Sequence, residues 1–256
     1  MTSPHRTLYQ FPISFYCEKI RWQLDAKGLP YTLRNLVPGL HRRVTKRLAG
    51  RTTVPVLVDG ATALGDSAEI SLHLENTYPA VPLLPPPGPE RERVRELEAW
   101  FGDAIGPHVR RWVYGHIIQG KADLGAFMFA GYDAPQVWLR PLMAPVLKRM
   151  LPRFYSIYPP QIEESRVKIL EGMDRLEREI GGDPSRYLVG SSLTLADITV
   201  ASIYAGLVTA EGSPYAARPD LRIPKAIGQM VDELRARPGG QWVLRRYQQD
   251  RASRRG

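Results

Sequence analysis

Three short clusters near the start of the chain carry groups able to do chemistry on a small polar ligand. In "QFPISFYCEK", Ser14 stands three residues before Cys17, the single cysteine of the 256 residues. Ser-x-x-Cys has the spacing of a dithiol redox motif with its first thiol replaced, so neither a dithiol cycle nor an intrachain disulfide is available. Ser14 falls just ahead of a helical pattern that opens near Phe15, where free N–H groups and the macrodipole favour negative charge. A thiolate placed there, with a hydroxyl donating to it, has its pKa lowered. Ser14 is then a donor to a sulfur brought by a ligand, and not a nucleophile. Cys17, one turn inside, is expected to face the core as a small apolar residue.

The second cluster is Val54-Pro55, directly before the apolar run "VLV". Proline is allowed at the first position of a strand, and X-Pro bonds are where cis peptides occur. A cis bond would turn the Val54 N–H and C=O outward to meet an extended peptide; a trans bond would make this an ordinary strand start. The third cluster is Asp66-Ser67, after Gly65 and before an amphipathic helix. Ser67 can serve as a plain N-cap. The same geometry binds a carboxylate at the helix N-terminus while Asp66 accepts from an ammonium group, the two ends of an α-amino acid.

The elements that must position these residues read clearly. Strands are expected at "TLYQF", "YTLRNL", "VPVLVDG" and "TAL", with helices at 15–28, 41–50 and 67–78, an order βαβαββα. Asp59-Gly60 is a hairpin turn signal. The stretch "PAVPLLPPPGPE" has six prolines in twelve residues and reads as a linker. All that follows has helical spacing: one long helix over about 90–117, bent near Pro107, and another over 164–182, ended by Gly181-Gly182. Between them prolines cut residues 119–160 into short pieces, an irregular insertion. The fold class is an α+β domain, then an all-α helical bundle. The boundaries are 1–80, a linker at 81–89, and 90–256.

Together these features resemble the glutathione S-transferase family, in "LYQFPISFYCEKIRWQLDAKGLPY", "TVPVLVDG", "ALGDSAEISLHLENTYP" and "YLVGSSLTLADITVASIY". They cover about residues 7–85 and 165–205. The resemblance implies a thioredoxin-like first domain of the serine type and an activated glutathione thiol attacking a hydrophobic electrophile. Ser14 would activate the thiol, Val54 before a cis Pro55 would bind the cysteinyl part through its backbone, and Asp66 and Ser67 would hold the γ-glutamyl head. His41 lies near the place for the glycyl end, with Arg42 and Arg51 as other candidates, although a solvated surface histidine is an equal reading. Trp112 and Tyr114 are expected on the electrophile side. Aromatic residues of the insertion, among them Phe127, Trp138 and Tyr155, either roof that pocket or pack its helices. The resemblance also implies a cytoplasmic homodimer with glutathione as co-substrate and no metal. Other roles on this scaffold are a non-catalytic binding module and a glutathione-dependent lyase, etherase or dehalogenase.

One piece of this pattern is structural. Thr194-Leu195-Ala196-Asp197 forms a capping box that opens a nearly uncharged helix. The net charge of +9 is concentrated at residues 1–60, with ten Lys/Arg against Glu18, Asp25 and Asp59, and in the tail "RRYQQDRASRRG". No basic run interleaved with aromatics accompanies it, so no nucleic-acid partner is expected. The tail is expected to be frayed. No membrane partner is expected either, because no run of 18 apolar residues occurs.

Overall fold

The computed structural model describes residues 6–120, 122–216 and 222–251. The βαβαββα order is present as β1 (Arg6–Gln10), α1 (Phe15–Ala26), β2 (Thr32–Asn35), α2 (His41–Ala49), β3 (Val56–Asp59), β4 (Thr62–Leu64) and α3 (Ser67–Thr77). The strands form one sheet in the order β2-β1-β3-β4. β1 runs parallel to β2 and antiparallel to β3, with Tyr9 opposite Val56. Arg6 and Asp59 are register partners and also a buried ion pair at 2.9 Å, which pins the first strand to the third.

Helix α1 is buried on two sides, and its sequence explains how. Ile20 and Leu24, one turn apart, join Leu8, Leu57, Ile70 and Leu74 in the small core under the sheet. Phe15, Trp22 and Ala26 lie on another face and belong to the large helical core. The helix thus ties the two cores together and fixes where its own N-terminus points.

The proline-rich stretch is a docked strap. Leu83 and Leu84 are buried, their N–H groups donate to Glu75 Oε2 at 2.9 and 3.1 Å, and Leu83 O accepts from Leu195 N–H at 2.9 Å. The expected long helix is broken into α4 (Pro89–Trp100), a π turn (Phe101–Ile105) and α5 (Gly106–Gln119), with Pro107 in the first turn of α5, where its missing N–H costs nothing. Helix α8 (Pro159–Glu179) starts earlier than expected for the same reason, Pro159 and Pro160 occupying its first positions.

The insertion is more regular than its prolines suggest. It holds α6 (Leu124–Met128), a 3₁₀ turn (Gln136–Leu139) and the 15-residue α7 (Arg140–Phe154), which keeps Pro145 and Pro152 inside it. Each proline removes one N–H, and burial of Met143, Leu147 and Leu151 at four-residue spacing holds the helix regardless. Tyr132 O–H donates to Leu36 O at 2.6 Å, so the insertion also grips the sheet domain.

Helix α9 (Leu195–Tyr204) is buried along its whole length and opens with the expected capping box. Asp197 Oδ2 accepts from Thr194 N–H at 2.8 Å, and Oδ1 accepts from Leu188 N–H at 2.9 Å. Helices α10 (Lys225–Arg235) and α11 (Pro238–Arg246) follow, then a π turn at Tyr247–Arg251. The tail is not frayed through Arg251: that side chain is 1% exposed and bonds Glu18 and Asp25 of α1. The rest of the expected frayed tail, 252–256, lies outside the described residues.

Candidate active site

Ser14 caps α1 in an extended conformation, φ −86° and ψ 122°, and its Oγ accepts from Cys17 N–H at 3.4 Å. That bond is long and uses an oxygen lone pair, and the hydroxyl also meets the Cys17 thiol, a weak acceptor that a ligand thiolate would outcompete for its proton. Ser14 lines a cleft of about 1180 Å³ between the sheet domain and the helices. Cys17 is fully buried, and burial pushes its thiol up, away from thiolate chemistry.

The other sheet-domain candidates divide between this cleft and an adjoining hollow, with Val54 on the wall of both. The Val54–Pro55 bond is cis, and Val54 lies on the cleft wall just ahead of the paired register of β3. Asp66, rather than Ser67, is the N-cap of α3; its Oδ1 accepts from Ala68 N–H at 2.8 Å and Glu69 N–H at 3.3 Å. The cap uses one carboxylate oxygen, so the other is able to accept from a ligand cation. Asp66 and Ser67 line a second hollow of about 710 Å³ that shares Tyr16, Thr53, Val54 and Arg110 with the main cleft.

His41 is half-buried. Its Nδ1 accepts from Gly39 N–H at 3.1 Å, and its ring sits edge-on to Phe11 at 4.7 Å. Burial lowers its pKa to about 4 despite a hydrogen bond to the Thr52 backbone, so it is neutral at pH 7 and offers no charge to a carboxylate. Arg42 lines the cleft with its guanidinium 5.0 Å from the Phe154 ring centre. Arg51 is engaged on the surface with Glu69 at 2.7 Å.

The helical wall is apolar and aromatic. Tyr114 lines it, edge-on to Phe127 at 6.0 Å and Tyr155 at 5.7 Å. Trp112 does not: it is 2% exposed in the helical core, with its ring against His116. Two residues along a helix point roughly 200° apart, so only one of the pair can face the cleft. The insertion does both things left open for it. Phe127, Phe154 and Tyr155 line the cleft, Phe129 and Tyr132 pack inside, and Trp138 is 72% exposed.

Two cleft residues have no motif in the sequence. Tyr16 lies on the wall shared by both hollows and donates to Gly102 O at 2.8 Å; burial pushes its phenol up to about 12, so it stays protonated. Arg110 borders both hollows with its guanidinium 4.3 Å from the Tyr155 ring centre, and its Nε is buried without a hydrogen-bond partner among the described residues. Its signal was the position one turn before Tyr114 on α5, which puts both on the same face.

Residues 8–87 match the family described as glutathione S-transferase, N-terminal domain, and residues 159–226 match glutathione S-transferase, C-terminal domain. A maleylpyruvate isomerase of Ralstonia sp is 32% identical over 143 residues, which cover 52% of this chain and 68% of that protein. A probable maleylacetoacetate isomerase of Vibrio cholerae serotype O1 is 34% identical over 105 residues, 39% of this chain and 49% of that protein. Among solved structures, a glutathione S-transferase of Methylobacterium radiotolerans in complex with glutathione sulfonate aligns with a TM-score of 0.56 and 22% identity, over 94% of both chains. The chain belongs to the glutathione S-transferase family.

Proposed function

We propose that this protein is a glutathione-dependent enzyme that conjugates the glutathione thiol to a largely apolar, aromatic electrophile. The observation that carries the reading is that Ser14, at the N-terminus of α1, and the Asp66-Ser67 turn line two adjoining hollows that meet at Val54, the first of them an aromatic cleft. The residues fit the tripeptide. Ser14 donates to the sulfur, the backbone of Val54 meets the cysteinyl unit, and Asp66 accepts from the α-ammonium while the α3 N-terminus takes its carboxylate. Holding the sulfur as its anion and orienting it supplies the rate, and conjugation forms one C–S bond as the electrophile's leaving group departs.

A second reading has an observation of its own. Two of the relatives named above carry isomerase names, and Arg110, without an acidic partner among the described residues, places its guanidinium where the two hollows join, suited to the carboxylate of a small unsaturated acid. Stoichiometry separates the two. An aryl halide and a cis-olefinic diacid are each incubated with enzyme and glutathione, and free thiol is titrated against product. Consumption of one thiol per turnover with the aryl halide supports conjugation. Turnover of the diacid alone, with glutathione unchanged, overturns it in favour of the isomerase. Failure of the protein to bind immobilised glutathione removes both.

A further inference from the structure

Helix α7 carries two apolar stripes, and the fold uses only one. Met143, Leu147 and Leu151 are buried against the molecule. On a neighbouring face, about 100° around the helix, Leu142 is 67% and Val146 41% exposed, one turn apart, and Trp138 in the preceding 3₁₀ turn is 72% exposed. Pro141 and Pro145, also exposed, lie beside them on the same face. The result is an exposed apolar strip of five side chains.

The charge around this ridge has one sign. From residue 134 to 162 the sequence contains Arg140, Lys148, Arg149 and Arg153 and no acidic residue. Arg140 is paired with Asp123. Lys148, Arg149 and Arg153 are exposed, continue along the ridge face toward the C-terminal end of α7, and have no acidic partner among the described residues. Arg42, stacked on Phe154, joins that end to α2, whose Arg42, Arg43, Lys46 and Arg47 are likewise unaccompanied by acids within the helix. Neither matched family domain includes residues 88–158, so the ridge belongs to a segment outside them.

We propose that the exposed face of α7 docks on the surface of an anionic lipid bilayer, with Trp138, Leu142 and Val146 entering the interface and Lys148, Arg149 and Arg153 meeting the headgroups. An apolar ridge with a tryptophan, followed by unpaired cations, is the arrangement by which a helix lies in an interface without crossing it. No helix among the described residues is long and apolar enough to cross a membrane, and none is needed. The cations of one sign beside the apolar residues, with no acidic residue from 134 to 162, complement an anionic surface that can also take up apolar side chains, as a lipid interface does. The expectation of no membrane partner rested on the lack of a spanning run, a criterion blind to this mode of binding.

The test is flotation of the purified full chain with vesicles of phosphatidylcholine alone and with about one third phosphatidylglycerol. The expected result is at least about tenfold tighter binding to the anionic vesicles, weakened by salt, and reduced at least about tenfold by both W138S/L142S and K148E/R149E. None of these four residues lines the cleft, so glutathione binding and melting temperature serve as controls for folding. Should W138S/L142S unfold, the charge-reversed variant and blue-shifted Trp138 fluorescence carry the decision. Absence of flotation at low salt overturns the proposal. So does flotation unaffected by W138S/L142S, which would be adsorption by net charge alone. A change of oligomeric state in that variant would assign the ridge to contact between copies and also overturn it.

Discussion

The Ser14 hydroxyl accepts a 3.4 Å bond from Cys17 N–H and otherwise meets the weakly accepting Cys17 thiol, so it adds little to the cap and can turn its proton to a ligand sulfur. Ser14→Ala should therefore separate catalysis from folding. Stability should fall by about 0.5 kcal/mol, the low end for a lost cap, while kcat/KM falls roughly 10- to 1000-fold. The apparent pKa of the enzyme-bound thiol, followed by thiolate absorbance, should rise toward that of free glutathione. Equal rates for variant and wild type with an aryl halide would remove Ser14 from the mechanism. His41 gives a second prediction at this scale, one of pH. Its ordinary pKa of 6.5 drops to about 4 in the fold because burial disfavours the cation. The unfolded chain therefore takes up a proton first as pH falls. The associated stability is complete above 6.5 and is lost between 6.5 and about 4, amounting to no more than about 3 kcal/mol because solvent reaches part of the ring and screens it. Denaturant melts of His41→Gln should show a shallower decline across that window; an identical slope would show that His41 is protonated in the fold.

At the scale of elements, the legible features were those fixed by local chemistry. The seven elements of the sheet domain follow from strand alternation, Gly28 and the Asp59-Gly60 turn, and the α9 capping box from four adjacent residues. The insertion was misjudged because its prolines were counted and not placed: Pro141, Pro159 and Pro160 stand in first turns that tolerate them. Trp112 was misplaced because its direction depends on the phase of α5, which the π turn resets. Tyr16 had no local signal and Arg110 only its place one turn before Tyr114, since their position in the cleft comes from the meeting of two domains. The capping box yields a third prediction. Asp197 satisfies the buried N–H groups of both Leu188 and Thr194, so it joins the loop before α9 to the helix itself. Asp197→Ala leaves both N–H groups unpaired and should cost roughly 2–4 kcal/mol. Urea titration measures this, and a loss below about 1 kcal/mol would mean that water replaces the carboxylate.

For the molecule as a whole, the decisive contact joins residues 233 positions apart. Glu18 is fully buried in α1 and accepts from Arg21 at 2.7 Å and from Arg251 at 2.9 Å, while Arg251 also reaches Asp25. The C-terminal turn thus clasps α1 along its length, from Glu18 in the first turn, next to the Ser14 cap, to Asp25 near its end. Burial alone would raise the Glu18 carboxyl, but the two guanidiniums outweigh it and hold it below the ordinary carboxylate range. A depressed carboxylate contributes stability that is present above its unfolded pKa and lost as pH falls through the folded one. Arg251→Met removes one of the two cations and leaves burial less opposed, so it should destabilise the fold by roughly 2–4 kcal/mol at pH 7. The cost should shrink as pH falls through the depressed folded pKa of Glu18, where the carboxyl takes up a proton and no longer needs the arginine. Urea melts of both proteins at pH 7 and pH 3.5 decide the matter. A gap that stays the same at both would mean that Arg251 acts through packing on Trp22, 5.8 Å from its guanidinium, and not through the charge of Glu18. In either case glutathione affinity should fall with stability if the clasp sets the position of α1, and should hold constant if α1 is positioned by its two hydrophobic faces alone.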